Sequence, residues 1–190
     1  FDSVGGESNA ETAREHTAYW ARVRDADLDM AIETLTDMVT DSRLDKDDFS
    51  LERGVILDEL AMGEDSPTDT VHDTFQLAVH GDRPIGRPVG GTAQAIREVE
   101  RADVWEHYQA HYCPSSLIVA AAGNVDHESV CERVQAALEG SPWDAGSAAS
   151  PWPRRSTTVT PIADHDKDIT RRRDVTQAHV IIGCEGLSAT

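Results

Sequence analysis

DKDDFSLERGVILDELAMG, residues 45–63, is a long helical stretch with an acidic start and an apolar body, and the other elements can be ordered around it. Asp45 followed by Asp48 places negative charge at the positive end of the helix dipole, so a helix is expected from about Lys46 to Gly63. Within it, Glu52 and Glu59 stand seven residues apart. At about 100° per residue they fall about 20° from each other on one face, two turns apart. Leu51, Val55, Ile56, Leu57 and Leu60 surround them, and that apolar content predicts a substantially buried helix. A carboxylate on such a helix is costly unless it is paired, hydrogen-bonded or bound to a metal. Glu is also a favoured helix former, so the same pair fits a solvated stripe, and spacing alone does not choose.

Upstream, Gly5-Gly6 is a turn signal, and Thr12, Thr17, Tyr19, Trp20 and Val23 suit strands, predicting a hairpin over 7–13 and 15–24. Asp27 is expected to cap a helix to about Asp41 with Leu28, Ile32, Leu35 and Val39 on one buried face, widened by Ala31 and Met38. Downstream, Ser66-Pro67-Thr68-Asp69 starts a helix that runs to about His80. GDRPIGRPVGGT, residues 81–92, is a loop by its glycines and prolines, with short helices expected over 93–99 and 102–112. SLIVAAA, residues 116–122, is a compact apolar run that predicts a buried strand. Asp126 then caps a helix with Val130, Val134, Ala137 and Leu138 on one side. Four prolines break 140–174, where a strand is expected near 156–160, and TQAHVIIG, 176–183, predicts another.

The 190 residues carry 17 Lys and Arg against 35 Asp and Glu, a net charge of −18. Nucleic acid and anionic membrane surfaces need a basic footprint, so both are disfavoured as partners. Residues 151–175 hold six basic and four acidic groups, and Arg171-Arg172-Arg173 fits a solvated surface stretch. The longest apolar run, Leu117–Ala122, is far too short to span a bilayer. Cys113, Cys131 and Cys184 form no C-x-x-C pair, which fits reduced thiols and a cytoplasmic location. The chain opens on Phe1 and closes just after a strand-like run, as expected of a segment of a longer protein.

Other candidate chemistry finds little support. His107 and His111 lie at i and i+4, a spacing that can grip zinc, but Glu106 falls outside the pair and neither H-E-x-x-H nor H-x-x-E-H is formed. Packing and hydrogen bonding beside Tyr108 and Tyr112 account for them more simply. The 86–91 loop lacks both G-x-G-x-x-G and the Lys-Ser/Thr of a phosphate loop, and Ser115 and Ser116 have no partnered base in view.

The order of NAETAREHTAYWARV, ERGVILDEL, GDRPIGRPVGGT, HYCPSSLIVAAAGNVDHESV and TQAHVIIG resembles the pitrilysin/insulinase family of zinc metallopeptidases, in the bacterial branch similar to the β subunit of mitochondrial processing peptidase. The resemblance covers nearly the whole chain. It implies an α+β fold, an antiparallel sheet with helices packed on one face, from the amino-terminal half of that family's unit. By this resemblance 1–190 is a single partial peptidase domain: 1–139 the core of the first half, 140–175 a long connection, and 176–190 the start of the following strand. It implies zinc (Zn2+) held by two histidines of an H-x-x-E-H helix and by a later Glu, which Glu59 in VILDEL matches. Glu52 matches a second acidic position, expected to orient a ligand histidine. Asn9 and Ala10 match the Asn-Ala of an edge strand along which substrate backbone lies by strand addition. The HYCP segment is structural in the family. No H-x-x-E-H occurs in the 190 residues, so two histidine ligands and the general-base Glu are absent from them. The implied activity is zinc-dependent endopeptidase action on peptides or unfolded polypeptide segments, in the full-length protein and not in this segment alone. The alternative is a non-catalytic partner subunit of the same fold, and a homo- or hetero-dimer of like subunits suits either.

Overall fold

The computed structural model describes residues 1–143 and 168–183. In chain order the strands are β1 (Glu7–Thr12) and β2 (Thr17–Arg22), and the helices are α1 (Leu28–Thr40), α2 (Lys46–Asp65), α3 (Pro67–His80), α4 (Ala93–Glu98), α5 (Arg101–His111) and α6 (His127–Glu139). Two compact units divide them. The first takes residues 1–49 and continues from Val99, and the second takes 50–98 and includes 168–183.

In the first unit β1 and β2 form the predicted hairpin, antiparallel in the register Glu7↔Arg22 to Thr12↔Thr17. The Ala13 N–H donates to the His16 carbonyl at 2.8 Å and closes the turn. α1 packs against β2 and α6. Ala31 on α1 is buried, but Met38 is 46% exposed and does not widen the stripe as expected. Asp29 of α1 pairs with Arg133 of α6. Asp27 holds the position before α1 without capping it, because its carboxylate accepts from Arg24 Nε at 2.9 Å instead. Asp126 does cap α6, accepting the Ser129 N–H at 2.9 Å.

In the second unit Ser66 accepts the Asp69 N–H at 3.3 Å with Pro67 in the first turn of α3, as the sequence predicts. The 81–92 loop ends where the Thr92 hydroxyl accepts the Ala95 N–H at 3.2 Å and starts α4. Gly86 is buried against the chain's own turn: a Cβ there would strike the Gly81 carbonyl oxygen and stand 3.0 Å from His80 Cβ. Gly86→Ala is therefore expected to lower unfolding stability by about 1–3 kcal/mol, read from the denaturant midpoint. Arg173 is not simply solvated. It donates to the Glu64 carbonyl and lies 3.7 Å from Asp65, at the negative end of α2.

Two expectations are corrected. α2 has no buried residue, and Leu51 and Met62 are 71% and 72% exposed. Its apolar positions are spread around the helix rather than gathered into a stripe, so no single neighbour covers them. The apolar runs at 117–122 and 176–183 pair with no strand among the described residues, and Ile118 and Ile182 are largely exposed. An apolar run sets strand propensity, whereas a ladder needs a partner from elsewhere in the chain. The strand expected at 156–160 and Cys184 lie outside the described residues.

Candidate functional site

β1 presents one open edge among the described residues, since the sheet holds two strands. With the Ala13 N–H bonded to His16, alternation along an antiparallel ladder assigns the ladder bonds to Glu11, Asn9 and Glu7. Ser8, Ala10 and Thr12 therefore direct their N–H and C=O groups to the open edge. The Ala10 N–H confirms this, because it is taken by the Asn9 side chain, whose Oδ1 accepts it at 2.8 Å. Every residue of β1 is exposed. An extended peptide can add as a third strand by exchanging bonds with Ala10 once Asn9 Oδ1 is displaced.

Glu52 and Glu59 both lie on α2 and both are exposed. Seven residues at about 1.5 Å each separate them by roughly 10 Å along the axis. Among the described residues no group of three or more His, Cys, Asp or Glu side chains is placed to hold a metal ion. A catalytic zinc takes three protein ligands and leaves a fourth position open. An exposed carboxylate such as Glu59 suits one of those three places, because binding it requires no buried charge to be uncovered.

His107 and His111 come together on α5, ring centroids 4.4 Å apart. Burial, and then the neighbouring His111, hold His107 below the ordinary histidine range. The folded state thus resists a proton that the unfolded chain accepts, so the contribution is intact above the ordinary histidine pKa and is lost as pH falls from there through the lowered folded-state value. Thermal unfolding should show this as a midpoint that drops from about pH 7.5 to about pH 5.5, with a shallower drop in His107→Gln.

Around HYCP, Cys113 is buried and lies 3.3 and 3.4 Å from the Ser115 and Ser116 hydroxyls, which hold its thiol below the usual range. These serines serve the turn beside Cys113. A half-open apolar groove of about 590 Å3 runs beside α6, lined by Val119, Val130, Val134, Leu138 and Trp143, and contains none of the predicted site residues. No described helix is long and apolar enough to cross a membrane.

Sequence reasoning missed the aromatic column behind the hairpin. Tyr19 and Tyr112 hydroxyls lie 3.0 Å apart, the Tyr112 ring packs at a tilt against Tyr108 with centroids 5.0 Å apart, and the Tyr108 hydroxyl donates to the Val39 carbonyl at 2.9 Å. The i, i+4 spacing of Tyr108 and Tyr112 was the available signal. Arg101 adds a second hold, donating to the Leu44 and Arg43 carbonyls and so keeping Leu44 in its left-handed conformation (φ 45°).

An α+β fold with an antiparallel hairpin and an ordered set of helices is that of the M16-like peptidases. The solved structure of a protease from Helicobacter pylori superposes with a TM-score of 0.73 at 25% identity, over 80% of this chain and 36% of that one. Residues 1–93 match the family model described as insulinase (peptidase family M16), and residues 98–190 match that described as the peptidase M16 inactive domain. The chain belongs to the insulinase, or M16, peptidase family. It is 45% identical over its whole length to an uncharacterized zinc protease of Streptomyces coelicolor, of which it covers 41%. It is also 33% identical over 97% of its length to the human mitochondrial cytochrome b-c1 complex subunit 1, of which it covers 38%. The chain thus spans about two fifths of the length of the curated relatives it matches.

Proposed function

We propose that the full-length protein hydrolyses peptide bonds with zinc, and that this chain supplies Glu59 as one ligand, Glu52 as a supporting carboxylate, and Asn9 and Ala10 as part of the substrate edge. The observation that carries this is the match of residues 1–93 to the insulinase (peptidase family M16) model, with relatives 45% and 41% identical named uncharacterized zinc proteases. Zinc, when bound, polarises a scissile carbonyl and lowers the pKa of a bound water toward neutrality. The chain's own work is to bind and orient. The open β1 edge takes peptide backbone at Ser8, Ala10 and Thr12, which fixes an extended substrate by main-chain bonds with little demand on its side chains. Such an edge suits peptides and unfolded segments, because a folded protein's strands are already paired.

Glu59 offers its carboxylate from an exposed face of α2, and Glu52, by the family resemblance, orients a neighbouring ligand. The second reading is a non-catalytic partner subunit of the same fold. The similarity to a cytochrome b-c1 subunit favours it, since that relative is named as part of a complex rather than as a protease. Zinc content and cleavage of denatured casein by the purified full-length protein separate the two. Bound zinc with cleavage supports the peptidase, and neither zinc nor cleavage supports the subunit.

A further inference from the structure

The open edge of β1 is backed by side chains that the docking chemistry itself does not use. In the hairpin register Ala10 lies directly opposite Tyr19, in a pair that exchanges no ladder bonds. Side chains in such a pair are close, on one face of the sheet. Tyr19 is half-buried, and its hydroxyl meets that of Tyr112 at 3.0 Å, just beyond α5. Tyr112 in turn packs its ring, tilted, against Tyr108. The Tyr108 hydroxyl both donates to the Val39 carbonyl and accepts the Ser42 N–H at 3.3 Å, so it cannot rotate without losing a backbone partner at the end of α1. Burial, and then the Tyr112 hydroxyl, raise the Tyr19 phenol above its ordinary range.

Nothing else in this column points to a reacting group. The column ends on β2 at Tyr19, the residue opposite Ala10. A hairpin is marginal when it is held by its own ladder alone, and β1 is exposed along its whole length. Its placement therefore comes through β2, and Tyr19 is the β2 residue tied across 93 positions to a helix terminus.

We infer that Tyr112 is a positioning residue for peptide docking: through its hydroxyl it holds Tyr19, and Tyr19 holds the Ala10 N–H and C=O in line for an added strand. This rests on the edge-docking reading above. It predicts an effect on peptide affinity and not on the chemical step, because the tyrosine pair holds main chain and supplies no reacting group.

The test uses the full-length protein and a fluorescein-labelled extended peptide taken from a casein digest. The dissociation constant is read by anisotropy, and kcat is measured in parallel. Tyr112→Phe and Tyr19→Phe are each expected to weaken binding about threefold to tenfold with kcat nearly unchanged. The double variant should be no weaker than either single, since both remove the same bond. Unchanged affinity in both singles, with only the unfolding midpoint lowered, would overturn the inference, as would additive losses in the double variant. Ala10→Pro separates this from the reading beneath it: an edge strand tolerates proline, which deletes the outward N–H. Ala10→Pro should weaken binding about tenfold if peptides dock on this edge. If it does and the tyrosine variants do not, positioning fails alone. If Ala10→Pro binds like wild type, edge docking fails and the inference falls with it.

Discussion

Glu59→Gln in the full-length protein is expected to lower kcat/KM for peptide cleavage about a thousandfold, while the unfolding midpoint, with both proteins stripped of metal, stays close to wild type. The size follows from what the metal does. Polarising a carbonyl and activating a water contribute several kcal/mol to transition-state stabilisation, and each 1.36 kcal/mol is a factor of ten. An amide keeps the shape of the carboxylate but removes the negative charge that a zinc ion needs from its oxygen ligand. The stability side of the prediction comes from exposure. Glu59 sits on the solvent-facing part of α2, where Gln is as good a helix former and leaves no polar atom stranded. Activity lost through unfolding would show as a fallen midpoint of the metal-free protein, so steady-state kinetics and thermal denaturation without metal together assign the loss to the ligand.

Glu52→Gln is expected to cost about 10–100-fold in zinc affinity or activity, the range for partners that orient a metal ligand without binding the ion. Glu52 lies two turns before Glu59 on the same face of α2 and is exposed as well. The family resemblance matches Glu59, and not Glu52, to the ligand position, the two standing roughly 10 Å apart along the axis. The two variants should therefore differ in kind. Glu59→Gln removes the site, whereas Glu52→Gln leaves a weakened site that added zinc refills, so a zinc titration restores much of the second activity and little of the first. Equal losses with no rescue in either variant would contradict the division of roles.

Local chemistry made most of the helices readable. Ser66 with Pro67, and Asp126, state their helix starts in one or two residues, and the structure finds the bonds they imply. Asp27 has the same residue type, yet Arg24 three positions earlier takes its carboxylate. A cap signal cannot show such competition. The burial of α2 was misjudged because apolar content was counted without its angular spread, and Leu51, Val55 and Met62 remain exposed.

What lay furthest from the sequence was non-local. Tyr19 meets Tyr112 across 93 residues, and Arg101 reaches Leu44 across 57. No periodicity encodes either contact. The runs at 117–122 and 176–183 have the residue types of strands, and whether a run joins a ladder depends on a partner that local sequence does not name. Of the site, Asn9, Ala10, Glu52 and Glu59 were selected by family resemblance. The fold adds the open edge at Ala10 and the exposure of both carboxylates; it does not bring a complete metal site together among the described residues.

The central claim is that Glu59 is a zinc ligand of an M16 peptidase. Its most direct test is the zinc content of the purified full-length protein beside its Glu59→Gln variant, measured by atomic emission after dialysis against metal-free buffer. The account predicts about one zinc per chain in the wild type and almost none in the variant, as expected of a three-ligand catalytic site that has lost one ligand. Equal zinc in the two proteins, or no zinc in the wild type, would contradict it.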